Sequence, residues 1–347
     1  MTAKIKWGVS GSGGIARRRT IPEGITKARN AELAAVFDTN AAVNQEVAAQ
    51  YGVQACSSLE ELLNQDIDAV YVAAPVFAHA GQVQSCAAAG KHILCEKPLG
   101  LDVPQAEAMI QACRQAGVRL GVGFMMRFHP LHQAALKIIQ AGRLGKPVYA
   151  RAQLSCWYPP IPGAWRQDPA LGGGGALIDM GSHCIDLLEM FFGPVAKVSC
   201  FVNNLVHPYA SEDSSVILLS FANGALATVD AFFCVPDNSS KNVLELYGSQ
   251  GGIVARGTIG QSSGGEMTAY LQETAAGYDA QQARASEQGT PITAGMENLY
   301  QSEIEEFSQA IQENREPRVG AEIGLQNQKV IAACYESART GQAVAIR

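Results

Sequence analysis

Ile5-Lys6-Trp7-Gly8-Val9-Ser10-Gly11-Ser12-Gly13-Gly14-Ile15-Ala16 is the stretch whose reading decides the fold of this chain. Ile5 to Ser10 reads as a short buried strand. It ends in G-x-G-x-x-A: the first glycine allows a tight turn, the second lets a diphosphate approach the backbone, and the small last residue lets helix pack on strand. A helix beginning there offers free N–H groups and the positive end of its dipole. Gly11, Ser12, Gly13, Gly14 and Ile15 are therefore candidate cofactor contacts. A glycine-rich turn alone is equally any flexible loop, and its context decides between the two.

That context is an alternation of strands and helices. Glu32-Leu33-Ala34-Ala35-Val36-Phe37 is the second strand and ends in Asp38, which lies 22 residues after Ala16. An acidic residue at this offset can bind adenosine ribose hydroxyls and would repel a 2′-phosphate. No arginine follows in Thr39-Asn40, so NAD is expected in preference to NADP. A helix N-cap is the competing role for Asp38. Leu59–Leu63 reads as helix, Asp68–Pro75 as strand, Ala78–Ala89 as helix, Ile93-Leu94-Cys95 as strand, Pro104–Ala116 as helix and Arg119–Phe124 as strand. Such alternation means right-handed βαβ units and a parallel sheet. The expectation is α/β plus α+β, with a dinucleotide-binding Rossmann domain over residues 1–126 and a second, substrate-binding and oligomerisation domain over 127–347.

Glu96-Lys97-Pro98 closes the fourth long strand. A lysine there sits where open α/β sheets bind ligands, and desolvation would make it a proton-transfer candidate. A solvated turn lysine is the bland alternative, and spacing alone favours it.

After Arg127-Phe128-His129-Pro130 the pattern changes. One helix (Leu131–Ala141) is followed by β-like runs at Pro147–Cys156, Val195–Asn203, Ser214–Phe221, Ala225–Cys234, Asn242–Gly248 and Met267–Gln272. Phe221-Ala222-Asn223-Gly224-Ala225 is an Asn-Gly hairpin signal, so a mostly antiparallel open sheet is expected, with helices on one face. Gly260–Gly265 reads as a Gly/Ser loop, Gln281–Pro291 as polar and exposed, and Met296–Ile311 and Gly324–Arg339 as closing helices. Within this half, Gly172-Gly173-Gly174-Gly175 precedes a helix carrying Asp179 and His183. Residues four apart share a helix face, and a carboxylate beside an imidazole raises its basicity, as suits a general acid or base. A surface ion pair is the alternative. The glycines favour function because they permit close backbone approach to a ligand. Asp186 and Glu189 read as structural. His129 and His132 lack the compact spacing of a structural zinc site, so no metal is expected.

Apolar residues make up 47% of the 347 and charged residues 17%, a globular composition, and the net charge of −6 argues against a nucleic-acid partner. The nine cysteines form no C-x-x-C pair, and several (Cys95, Cys113, Cys200, Cys334) lie in apolar segments, as in reducing compartments. No run approaches a membrane span and the N-terminus enters a strand directly. A cytoplasmic protein that needs no membrane is the expectation.

Taken together, Gly11-x-Gly13-x-x-Ala16, Glu96-Lys97-Pro98, Gly174-Gly175-x-x-x-Asp179-x-x-x-His183 and the ending Glu336-Ser337-Ala338-x-Thr340-Gly341 resemble the glucose-fructose oxidoreductase / inositol dehydrogenase family over nearly the whole chain. The resemblance implies an NAD(P)-dependent enzyme acting on a secondary hydroxyl or ketone of a sugar, polyol or glycoside, working as a homodimer or homotetramer. It implies that His183 removes a ring-hydroxyl proton as hydride moves to nicotinamide. Lys97 then hydrogen-bonds the reacting oxygen, and Asp179 orients both and favours the imidazolium. It places Ala74, Pro75, His79 and Glu96 near the cofactor, Arg166 close to nicotinamide and substrate, and Arg127 and Trp165 with Lys97, Asp179 and His183 at the substrate. Met125-Met126 stands where such enzymes often carry a polar residue, so the substrate is implied only as a class. Two further functions fit the same residues: a redox glycosidase that oxidises its sugar transiently at C3, and a non-catalytic NAD-sensing protein.

Overall fold

Six parallel strands, β1 (Ile5–Ser10), β2 (Ala31–Phe37), β3 (Gln54–Cys56), β4 (Ala69–Val72), β5 (His92–Glu96) and β6 (Leu120–Gly123), form one sheet in the order β3-β2-β1-β4-β5-β6. The computed structural model describes residues 3–272, 280, 289–295 and 297–347. Strand order reverses between β1 and β4, and the crevice beyond the carboxyl ends there is the ligand position of such sheets. The crossovers are a wide helical segment, Ala16–Ile25, and α1 (Ala41–Tyr51), α2 (Leu59–Leu63), α3 (Val76–Ala88) and α4 (Val103–Ala116). Three of these helices start on side-chain caps: Asn40 accepts from Val43 N, Ser58 from Glu61 N and Asp102 from Gln105 N. Strands β4 and β6 are buried throughout because helices cover both sheet faces.

The remaining elements are α5 (Pro130–Gln140), β7 (Pro147–Ser155), the single turn α6 (Pro169–Gly172), α7 (Ser182–Phe192), β8 (Val195–Asn203), β9 (Ser214–Phe221), β10 (Leu226–Phe232), β11 (Val243–Gly248), β12 (Gly251–Arg256), β13 (Glu266–Leu271), β14 (Thr290–Pro291), α8 (Leu299–Gln312), α9 (Ala321–Thr340) and β15 (Val344–Ala345). They build a nine-stranded sheet in the order β14-β13-β12-β11-β7-β10-β9-β8-β15. Its described pairs are antiparallel except β7 with β10. The Asn223-Gly224 turn joins antiparallel β9 and β10, with Leu226 opposite Ser220. Helices α7 and α9 pack on one face. The other face exposes Phe201, Val216, Leu218, Leu226 and Tyr270.

Two departures from the sequence reading bear on the packing; β3, β14 and β15 also form where it placed no strand. Strand β12, which the sequence reading did not place, forms across Gly251-Gly252. The bare Cα of Gly252 makes room for the Tyr247 ring, whose Cδ1 would stand 2.8 Å from a Cβ there. Helix α8 belongs with the first sheet, not the second. Ile304 and Phe307 share a core with Ile5, Trp7 and Val9, Trp7 Nε1 donates to Ser308 Oγ at 3.1 Å, and Arg29 pairs with Glu305 at 2.8 Å. The expected division at 126/127 does not account for this return. Met296 and most of the polar segment 281–291 lie outside the described residues.

All nine cysteines are free thiols, seven of them buried. Among the described residues no helix is long and apolar enough to cross a membrane.

Candidate active site

A cavity of about 610 Å³ opens beyond the carboxyl ends of β1, β2, β4 and β5. Gly11, Gly13, Gly14 and Ile15 form its floor. Gly11 has φ +85°, and a Cβ there would meet the Ala73 carbonyl carbon and Ala74 N at 2.6 Å, so the turn closes directly on the end of β4. A Cβ on Gly14 would meet nothing within 4 Å, because that side of the turn is the cavity. Asp38 lines the cavity and also holds the turn: its Oδ2 accepts from Gly13 N at 2.9 Å and its Oδ1 from Asn40 N at 2.8 Å. Ser12 corrects the sequence reading. It is buried beneath the turn, its N donating to Phe37 O at 3.1 Å and its Oγ to Asn44 Oδ1 at 3.1 Å. It ties β1 to β2 and α1 and does not face the cavity.

Ala74, Pro75, His79 and Glu96 line the next wall. The buried His79 ring lies 2.9 Å from Ala74 O through Nε2 and 3.0 Å from Pro98 O through Nδ1, so it joins the ends of β4 and β5. Burial holds its pKa below the usual value. Thr20 Oγ1 donates to Tyr71 Oη at 2.9 Å, and Tyr71 Oη donates to the half-buried Glu96 carboxylate. Burial pushes the Glu96 carboxyl up, against the pull of Tyr71 and Lys97.

The far wall brings together residues from both halves of the chain. Lys97 Nζ donates to Asp179 Oδ1 at 2.7 Å and to Asp179 O at 2.9 Å. Arg166 Nε stands 3.1 Å from the same Oδ1, and its guanidinium lies 4.0 Å over the Trp165 ring. Burial would raise the Asp179 carboxyl, but the Arg166 and Lys97 cations hold it well below the usual carboxylate range. His183 lines the same cavity, is buried, and has no described partner for Nδ1. Burial, then the Lys97 charge, holds its pKa well below the usual value, so the imidazole is neutral.

Three expectations are thereby corrected. Asp179 does not bond His183; two full cations take its carboxylate in preference to a neutral ring, and the basicity its charge lends the imidazole is outweighed by burial and those cations. The run Gly172–Gly175 admits protein, not a ligand: a Cβ on Gly175 would stand 2.0 Å from Glu212 O, and one on Gly174 would stand 1.8 Å from Tyr335 Oη. Arg127 does not line the cavity. Its Nε donates to both Asp186 oxygens at 2.8 and 2.9 Å. Asp186 is buried and needs that countercharge, and burial still pushes its carboxyl up to about 6.

Met125, Met126, Leu154, Ser155, Cys156 and Met180 complete the lining near the far wall, with Trp165. The Ser155 hydroxyl is buried with no described partner. Arg18, Gly260, Gln261 and Tyr300 also line the cavity. Of these the sequence reading placed Gly260 and Gln261 in the Gly/Ser loop and Tyr300 in a closing helix. The buried His129 and His132 rings instead bond Gly264 O at 3.1 Å and Thr258 Oγ1 at 3.1 Å. The open glycine floor, the anionic Asp38 beside it and a cavity running to Lys97 fit a nicotinamide dinucleotide.

Comparison with known proteins agrees with this geometry. Residues 5–124 match the oxidoreductase family with an NAD-binding Rossmann fold, and residues 132–254 match the Gfo/Idh/MocA C-terminal domain. The chain is 29% identical to 1,5-anhydro-D-fructose reductase of Ensifer adhaerens, over 98% of each. It is 30% identical to D-xylose 1-dehydrogenase (NADP(+)) 2 of Haloferax volcanii, over 97% of this chain and 98% of that one. The fold superposes on the aldose-aldose oxidoreductase of Caulobacter crescentus with a TM-score of 0.88 at 26% identity, covering 99% of both chains. The chain belongs to the Gfo/Idh/MocA family of oxidoreductases.

Proposed function

We propose that this protein is an NAD-dependent dehydrogenase or reductase that interconverts a secondary hydroxyl and a ketone on a sugar, polyol or glycoside. The observation that carries the reading is the far wall: an ammonium with one donor unspent beside a buried, neutral imidazole. Lys97 commits two of its three N–H donors to Asp179. The third serves the substrate oxygen and steadies charge that develops on it. Neutral His183 takes the hydroxyl proton in oxidation and returns it in reduction. Asp179, held anionic, fixes the Lys97 ammonium and the Arg166 guanidinium against one oxygen. A nicotinamide dinucleotide held on the Gly11–Gly14 turn would supply the hydride acceptor of oxidation and the hydride donor of reduction. The unpartnered Ser155 hydroxyl suits a second substrate hydroxyl, and Trp165 and Met126 suit an apolar ring face.

NAD is the preferred form because Asp38 lines the adenosine end, where a carboxylate disfavours a 2′-phosphate. The exposed apolar residues on the open sheet face support a homo-oligomer. The test is stopped-flow absorbance of NADH and NADPH with a panel of sugars, polyols and the corresponding ketones. Hydride transfer with NAD(H) in preference to NADP(H) on at least one carbohydrate is expected. No transfer with any of them sinks the reading.

A further inference from the structure

We propose that the loop Gly257–Gly265 of the second sheet, through Gln261, and Arg18 of the first helical segment together form the other half of the cofactor's diphosphate site, facing the Gly11–Gly14 turn across the cavity. The inference rests on the dinucleotide reading above and adds residues to it.

The arginine comes first. Arg17, Arg18 and Arg19 are consecutive, yet they are spent differently. Arg17 pairs with Glu46 at 2.9 Å and Arg19 with Glu23 at 2.7 Å. Arg18 lines the cavity and has no carboxylate partner among the described residues. A guanidinium with no carboxylate partner among the described residues, beside a glycine turn and a helix start, is placed to pair with a bound anion.

The loop supplies the opposite side. Gly260 and Gln261 line the same cavity as Gly11, Gly13 and Gly14, although they belong to the other sheet. Arg19 Nε donates to Gln261 Oε1 at 3.4 Å, a contact between the two halves of the molecule. Because the arginine can only donate, it faces the amide oxygen, and the Gln261 NH₂ group keeps its donors for something else. Gly260 has φ +152°, and a Cβ there would meet nothing within 4 Å.

Both roots of the loop are tied by histidines. His132 Nδ1 lies 2.9 Å from Met126 O, which only accepts, so Nδ1 carries the hydrogen and Nε2 accepts from Thr258 Oγ1. His129 Nδ1 accepts from Leu131 N at 3.2 Å, so its Nε2–H donates to Gly264 O. Two neutral, buried rings 4.6 Å apart thus hold the loop by both ends. The groups lining the cavity here, the Arg18 guanidinium and the Gln261 amide NH₂, are all donors. An anion matches that set, and the diphosphate is the anionic part of the dinucleotide that the glycine floor fits.

The test measures binding, not turnover. Titrate wild type, Arg18→Gln and Gln261→Ala with NADH by its fluorescence, and with ADP-ribose, adenosine and NADPH by competition, after circular dichroism confirms folding. Loss of a charge-assisted hydrogen bond predicts about tenfold weaker NADH and ADP-ribose binding for each variant, with adenosine unchanged. Thr258→Val, which removes a root of the loop without touching the cavity, is expected to weaken ADP-ribose in the same direction. Variants that bind ADP-ribose as wild type does overturn the proposal. So does an equal loss of adenosine, or a loss confined to NADPH, which would move Arg18 to the ribose 2′ position. Wild type that binds neither NADH nor ADP-ribose would instead defeat the dinucleotide reading itself.

Discussion

The chain contains two glycine-rich turns that look alike in sequence and serve opposite purposes. In Gly11–Gly14 the missing side chain at Gly14 leaves open cavity, with nothing within 4 Å of where a Cβ would stand. In Gly172–Gly175 the missing side chains are filled by the protein, Tyr335 Oη against Gly174 and Glu212 O against Gly175. Glu212 Oε1 further accepts from Gly175 N at 2.9 Å, Leu177 N at 3.0 Å and Tyr335 Oη at 2.9 Å. The first turn is tight at Gly11, against the end of β4, and open at Gly14, where a ligand can enter. The second is tight so that the segment carrying Asp179 and His183 is held against β9 and α9. Glycine content reports that something comes close to the backbone, and only the fold says what.

Substitutions separate the two. Gly175→Ala puts a Cβ on a backbone oxygen that cannot swing away, and carries the largest expected effect: a loss of about 4 kcal/mol or more in urea unfolding, with little folded protein recovered. A variant with wild-type stability would show that the second turn is not tight. His183→Ala leaves that turn intact and removes the proton acceptor. Its kcat should fall by about 10²–10⁴ while NADH affinity and the unfolding midpoint hold. Equal losses of affinity and stability would make His183 a packing residue. Gly14→Ala is the mirror experiment. Its φ of +49° costs an alanine about 1 kcal/mol, and the methyl enters the cavity. NADH should bind about tenfold more weakly at nearly unchanged stability, measured by fluorescence titration. Unchanged binding would mean that the cofactor does not approach this turn.

Most of the first sheet was legible because each strand is an apolar run bounded by helix caps and glycines, and a parallel sheet leaves little choice of order. The second sheet was legible in its six longer runs, whereas β12, whose paired glycines make room for Tyr247, and the two-residue edge strands β14 and β15 carry too little pattern to read. Helix α8 was visible as a helix but not as part of the first core, because an amphipathic stripe does not say which sheet it covers. The far wall was legible as residues and not as bonds. Spacing put Asp179 beside His183, whereas the tertiary fold delivers two cations, Lys97 from β5 and Arg166 from the loop after β7. Arg127 was misplaced for the same reason, since its buried partner Asp186 is visible only in three dimensions. Arg18 and Gln261 meet at the cavity across more than two hundred residues, a separation that local pattern cannot bridge.

The smallest expected effect tests the electrostatics of the tight turn's payload. The groups facing His183 are Lys97, Asp179 and Arg166. Burial and the two cations lower its pKa, whereas the Asp179 carboxylate raises it. Neutral His183 is the form that takes a proton, so oxidation should fall on the acid side only as pH drops well below the usual histidine range, and kcat/KM should be level through neutrality. Lys97→Met removes a cation that lowers this pKa while leaving burial in place. The sign follows: the acid limb of the residual kcat/KM should move to higher pH, toward the ordinary histidine value. Asp179→Asn removes the anion that raises the pKa, so its limb should move the other way. Limbs that shift together would show that the two variants disturb the site by a common rearrangement. Opposite shifts would show that the segment fixed by Gly174 and Gly175 sets the charge around His183 and not merely its position.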